Sequence, residues 1–190
     1  MKKIILASTS PRRKELLEGL GLIFEIVSPS FDEKLTGKKF SYEEIENIAL
    51  NKALSVKETI SGGVLIVSAD TVVILEEEVL GKPKDREDAV RMLENLQGKV
   101  HDVVTSVVII DTELDKTLIE SATTKVNFNK LTLSDIEKYV DEMNPLDKAG
   151  AYGIQDVPEG FISGFEGEYD NVMGFPTKTL IKMLNLINNL

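Results

Sequence analysis

The 190 residues carry a formal net charge of −10, from 22 Lys and Arg against 32 Asp and Glu, and include one histidine and no cysteine. This composition excludes disulfides, thiolate zinc sites, thiol nucleophiles and multi-histidine metal sites, and it disfavours general nucleic-acid binding, because phosphates would be repelled without a local basic patch. With 42% hydrophobic and 28% charged residues the chain reads as one globular domain, residues 1–190.

No apolar run approaches the roughly 20 residues that cross a bilayer. Met1-Lys2-Lys3-Ile4-Ile5-Leu6-Ala7 starts like a signal peptide, but Arg12, Arg13, Lys14 and Glu15 cut its apolar part short. A cytoplasmic protein with no membrane partner is expected.

In chain order, residues 3–7 read as a strand and residues 11–20 as a helix, with Leu16, Leu17 and Leu20 forming its apolar side. Between them lies Ala7-Ser8-Thr9-Ser10-Pro11-Arg12-Arg13. A helix N-terminus offers unpaired N–H groups and partial positive charge, and two arginines add bidentate donors, so this junction suits a bound triphosphate. On these residues alone, an N-cap serine, a first-turn proline and a solvated basic face explain the pattern equally well.

Residues 24–28 predict a short strand, and residues 29–39 a polar loop that contains Glu33. Ser41 opens a long helix with Ile45, Ile48, Ala49, Lys52, Ala53 and Val56 at helical spacing. Lys52 either faces a ligand or snorkels along the helix flank. Residues 64–67 read as a buried strand, with Asp70 just beyond it, and residues 72–75 and 78–80 as further strand around a turn. A carboxylate on such a rigid support can activate water or hold a divalent ion; it equally suits an Asx turn. Gly81-Lys82-Pro83 combines close backbone approach with a point charge for phosphate, although no P-loop pattern is present.

Residues 85–97 predict a helix closed by Gly98, and residues 101–110 and 117–128 an antiparallel pair of strands, with His101 structural or exposed rather than catalytic. Residues 134–143 and 177–190 predict the last two helices. Two further motifs lie between them. Asp147-Lys148-Ala149-Gly150-Ala151-Tyr152-Gly153-Ile154-Gln155 suits a close-packed pocket wall, with the Gln155 amide able to meet a base edge. Tyr169-Asp170-Asn171-Val172-Met173-Gly174-Phe175-Pro176 reads as a connecting loop. This order of elements predicts an α/β (α+β) fold with a mixed sheet flanked by helices.

Taken together and in order, Ser8-Thr9-Ser10-Pro11-Arg12-Arg13, Glu33, Ala49-x-x-Lys52-Ala53, Ala69-Asp70-Thr71-Val72, Gly81-Lys82-Pro83, Ala149-Gly150-Ala151-Tyr152 with Gln155, and Asn171-Val172-Met173-Gly174-Phe175-Pro176 resemble the Maf family of nucleoside triphosphate pyrophosphatases over essentially the whole chain. The resemblance implies a twisted mixed sheet with a deep cleft, related to the inosine triphosphate pyrophosphatases. It also implies a homodimer, a divalent metal (magnesium or manganese) and cleavage between the α- and β-phosphates. By the same resemblance Asp70 is the catalytic base, Ser8, Arg12, Arg13, Lys52 and Lys82 contact the substrate, and Glu33 with Asp70 positions metal or water. Arg12, Thr71 and Gln155 match the branch that acts on dTTP and UTP, whereas the branch acting on 7-methyl-GTP shows tryptophan, glutamine and glutamate there. This chain has no tryptophan. A nucleotide sensor that regulates septum formation through a protein partner is the alternative reading, since one fold hosts several functions.

Overall fold

The computed structural model describes residues 2–31 and 39–188. Strand β1 (Lys3–Leu6) feeds helix α1 (Pro11–Gly19), whose N-cap Ser10 is extended but makes no side-chain capping bond; Pro11 supplies the preset first turn. Strand β2 (Phe24–Ile26) follows, then α2 (Tyr42–Lys57). The stripe read from α2 is its buried face, Lys52 included.

Strand β3 runs unbroken over Val64–Leu75. The sequence suggested two short runs with Asp70 just beyond the first, and this is corrected: Asp70 lies inside the strand and starts no turn. The reason is long-range. Strand β5 (Val100–Asp111) pairs antiparallel with β3 from Leu65↔Asp111 to Ile74↔Asp102, and this ladder holds the polar residues 68–71 extended.

The chain continues through β4 (Glu78–Leu80), α3 (Arg86–Leu96), β6 (Lys116–Phe128), α4 (Leu133–Met143), the 3-10 turns Pro145–Asp147 and Ala149–Ala151, β7 (Ile162–Glu166), α5 (Tyr169–Val172) and α6 (Thr177–Asn188). Asp85 caps α3 by accepting the Asp88 N–H at 2.8 Å, and Thr132 with Asp135 forms a capping box on α4. The seven-stranded sheet has the order β2-β1-β3-β5-β6-β7, with β4 on β3; only β1 pairs in parallel, with β2 and β3.

This topology leaves a split. Along one edge of β3, β1 is paired as far as Val67, where it turns off into α1, and β4 joins only at Val73. Among the described residues no strand covers residues 68–72 on that side.

Alternation along β3 sends its side chains to two faces. Leu65, Val67 and Ala69 pack with Leu17, Phe175, Leu180 and Met183 under α1 and α6, while Val73 and Leu75 pack with Ala89, Leu93, Leu96, Ile136 and Tyr139 under α3 and α4. Thr71 falls between these two cores. On the opposite face Val64, Ile66, Val72 and Ile74 meet α2 through Ile45, Ala49, Ala53 and Val56. Ser68 donates to the Ala49 carbonyl at 2.6 Å, and Asp70, two residues on, faces the same helix.

Candidate active site

A cleft of about 760 Å³ opens at the split in the sheet. Its walls include Arg12 and Arg13 from α1, Lys52 from α2, Asp70 and Thr71 from β3, Lys82 and Lys84 after β4, and Asp147, Lys148 and Gln155 from the segment after α4. Cations therefore outnumber acids around the cavity of a chain that is acidic overall. Such a lining attracts a polyanion, and low-dielectric walls sharpen the attraction.

At its base, Lys52 donates to Asp70 Oδ1 at 2.5 Å, with both side chains largely out of solvent. Opposite charges in direct contact away from solvent hold each other in place, so the pair positions both groups. A rigid carboxylate within a cleft that admits water can take a proton from that water.

Arg13 is held from three sides. Its Nε donates to the Gly174 carbonyl at 2.9 Å, Nη2 to Thr71 Oγ1 at 3.2 Å and Nη1 to Ser8 Oγ at 3.4 Å. Thr71 Oγ1 also lies 3.0 Å from Thr105 Oγ1, and Thr105 donates to the Asn171 carbonyl at 3.1 Å. The Asn171–Gly174 stretch, read from sequence as a connector, thus orients Arg13; part of it is helical, as α5. Ser8 is buried behind Arg13 and does not line the cleft, whereas Ser10 does.

Arg12 points elsewhere, with Nη1 3.3 Å from Asp147 Oδ2. Asp147 Oδ1 accepts from Lys148 at 2.9 Å; Lys148 also lies 3.7 Å from Asp156, which accepts from Gln155 Nε2 at 3.1 Å. Burial works to raise the Asp147 pKa, yet the hydrogen bond and charge of Lys148, helped by Arg12, hold it below the usual carboxylate value.

Behind this wall His101, 2% exposed, sits 2.7 Å from the Tyr152 hydroxyl through Nε2, and its ring meets Phe128 edge-on. Burial pushes His101 down to about 4 and Tyr139 up to about 12. Tyr139 accepts the Gly153 N–H at 3.3 Å, which ties the pocket wall to α4. Of the two roles the sequence left open for His101, structural or exposed, its burial fits the structural one.

The structure therefore brings Arg12, Arg13, Lys52, Asp70, Thr71, Lys82 and Gln155 to one cleft. Glu33 lies outside the described residues. Sequence reasoning passed over Lys84 and gave Asp147 and Lys148 no individual role. Lys148 stood in the segment read as a pocket wall, and the 135-residue contact from Asp147 to Arg12 shows which part of the cleft that wall closes.

A hard divalent ion finds limited protein donors here: no group of three or more His, Cys, Asp or Glu gathers among the described residues. One carboxylate, Asp70, is nevertheless enough for a magnesium ion that keeps waters and draws its other ligands from substrate phosphates.

Residues 3–187 match the family model described as Maf-like protein. A dTTP/UTP pyrophosphatase of Clostridium botulinum (strain Alaska E43 / Type E3) is 46% identical over 96% of this chain and 97% of its own. One of Alkaliphilus oremlandii (strain OhILAs) is 43% identical over 93% of this chain and 91% of its own. Among solved structures, a HAM1 protein from Coxiella burnetii shares the fold, with a TM-score of 0.53, 15% identity and coverage of 97% of this chain and 99% of that one.

Proposed function

The chain belongs to the Maf family, and we propose that it hydrolyses dTTP and UTP between the α- and β-phosphates, releasing the nucleoside monophosphate and pyrophosphate. The observation that carries this reading is the buried Lys52–Asp70 pair at 2.5 Å, set in the sheet split and surrounded by cations. Relatives named dTTP/UTP pyrophosphatase, which match nearly the whole chain, support the choice of bases.

Attack on a polyanion calls for charge neutralisation and an oriented water more than for a covalent nucleophile. Asp70 takes a proton as the water oxygen bonds to the α-phosphorus. The bond from that phosphorus to the bridging oxygen breaks, and pyrophosphate carries away the electron pair. Lys52 holds the carboxylate in place. Arg12, Arg13 and Lys82 bind phosphate oxygens, with Ser8 and Thr71 keeping Arg13 aligned. Asp70, with Glu33, would hold a magnesium or manganese ion, whose chemistry when bound is to polarise phosphoryl oxygens and offset developing charge.

The test is product analysis with dTTP, UTP, CTP, GTP and 7-methyl-GTP, with magnesium or manganese and with chelator. The expected result is metal-dependent pyrophosphate and monophosphate from dTTP and UTP. Orthophosphate with diphosphate would mean that another bond is cut, and preference for 7-methyl-GTP would overturn the base assignment.

A further inference from the structure

Arg12, Asp147, Lys148, Asp156 and Gln155 form one unbroken polar chain along a cleft wall, through contacts of 3.3, 2.9, 3.7 and 3.1 Å. By the family resemblance, Arg12 and Gln155 are two of the three positions tied to substrate choice. Lys148, which links them, has so far been given no role. Its side chain is 11% exposed and lines the cavity.

The three side chains converge beside Gly153: a Cβ there would stand 2.5 Å from Asp156 Oδ2, 3.0 Å from Gln155 Nε2 and 3.1 Å from Lys148 Cε, so any other residue would make these side-chain ends shift.

Arg12, at one end of this chain, is the member assigned to phosphate. Beyond it Lys148 sits between Asp147 and Asp156, so this end of the cluster has no surplus of positive charge but offers directional donors and acceptors. An ammonium has three N–H bonds, and only one is needed for Asp147. Gln155 gives one amide N–H to Asp156 at 3.1 Å, which orients the amide and leaves Oε1 as an acceptor. A donor beside an acceptor is what the edge of a uracil or thymine ring requires: N3–H donates to Gln155 Oε1 and the ring O4 accepts from Lys148. Cytosine bears a lone pair at N3, which would oppose Oε1, and an amino group in place of O4, which would oppose Lys148.

We propose that Lys148 is a specificity-determining ligand of the pyrimidine base, donating to a ring carbonyl, and that Asp147 and Asp156 are positioning residues that aim Lys148 and the Gln155 amide. The proposal rests on the reading of the cleft as a dTTP and UTP site, and it is tested by binding alone. Affinities for α,β-imido UTP, α,β-imido CTP and inorganic tripolyphosphate are measured by calorimetry for wild type, Lys148→Met and Asp156→Ala.

Wild type should prefer the uridine analogue, and Lys148→Met should weaken it by about tenfold, the loss expected for a hydrogen bond from a charged donor, while the cytidine analogue and tripolyphosphate change little. Asp156→Ala should erode the same preference by a few-fold without removing any cation. Equal weakening of all three ligands would make Lys148 a phosphate ligand and overturn the inference. So would a wild type without preference, or a Lys148→Met protein that keeps it. A wild type that prefers the uridine analogue through Lys148 yet turns over no triphosphate would uphold the inference and overturn the pyrophosphatase reading instead.

Discussion

Two residues test opposite uses of burial. Asp70 is buried beside a partner that keeps its charge useful. Asp70→Asn retains an acceptor for Lys52 but cannot take a proton from water, so hydrolysis of UTP should fall by about 1,000-fold, within the usual range for loss of a general base. Binding of α,β-imido UTP should persist, and calorimetry beside a pyrophosphate-release assay separates the two effects; hydrolysis at the wild-type rate would remove Asp70 from its assigned role. His101 is buried without a counter-charge, so the folded protein keeps it neutral down to about pH 4. The unfolded chain protonates it near pH 6.5. Between those values the unfolded state binds more protons, so stability falls as pH drops from about 6.5 to about 4, by at most about 3 kcal/mol from this group. His101→Gln can still reach the Tyr152 hydroxyl but does not titrate, and urea midpoints at pH 7 and pH 4.5 should differ less for it than for wild type. The depressed carboxylates, Asp111 and Asp147 among them, act in a different window, because the stability they contribute is lost only as pH falls below the usual aspartate value near 3.8.

At the scale of elements, the cleft wall that carries Lys148 and Gln155 depends on a tight approach of backbone to side chain. Gly150 has φ +66, donates its N–H to the Gly81 carbonyl at 3.0 Å, and leaves only 2.8 Å between a hypothetical Cβ and Val73 Cγ2. Gly150→Ala combines the left-handed penalty with overpacking against β3, so a loss of about 2–3 kcal/mol is expected in urea denaturation. The displaced wall carries Lys148 and Gln155, so KM for UTP should rise with the loss of stability; unchanged KM at reduced stability would uncouple the two. The same element shows what was legible in the sequence. Helices α2, α3 and α4 declare themselves through local spacing and through capping residues such as Asp85 and Thr132, whereas Asp70, Lys52 and the paired arginines each fit a structural role equally well by type and gain a functional reading only from the ordered set of motifs. Strand β7 does not: Ser163 and Gly164 interrupt any apolar alternation, and it exists because β6 offers an edge from Lys125 to Phe128. The continuity of β3 through Ser68 and Asp70 is likewise imposed by β5. The wall pairings at Arg12–Asp147 depend on where the fold sends a segment far along the chain, and no local spacing encodes that.

At the scale of the whole molecule, net charge and cleft charge have opposite signs, and they act over different distances. The chain carries −10, which repels a triphosphate approaching from afar, while the cleft presents Arg12, Arg13, Lys52, Lys82, Lys84 and Lys148 among its lining residues. Screening tells the two apart, because the Debye length is about 30 Å at 0.01 M salt, about 10 Å at 0.1 M and about 3 Å at 1 M. Raising salt from 0.01 to 0.1 M first removes the long-range repulsion of the acidic surface, while contacts of a few ångströms inside the cleft are little screened. A further rise to 1 M weakens the cleft itself. The expected profile of kcat/KM for UTP against potassium chloride, at fixed metal concentration, is therefore a maximum near 0.1 M, with both limbs carried by substrate capture rather than by kcat. A monotonic fall from the lowest salt would mean that the cleft cations dominate at every distance and that the acidic surface has no influence on capture. A monotonic rise would mean that the cleft attracts the triphosphate too weakly to matter, which conflicts with a lining in which cations outnumber acids.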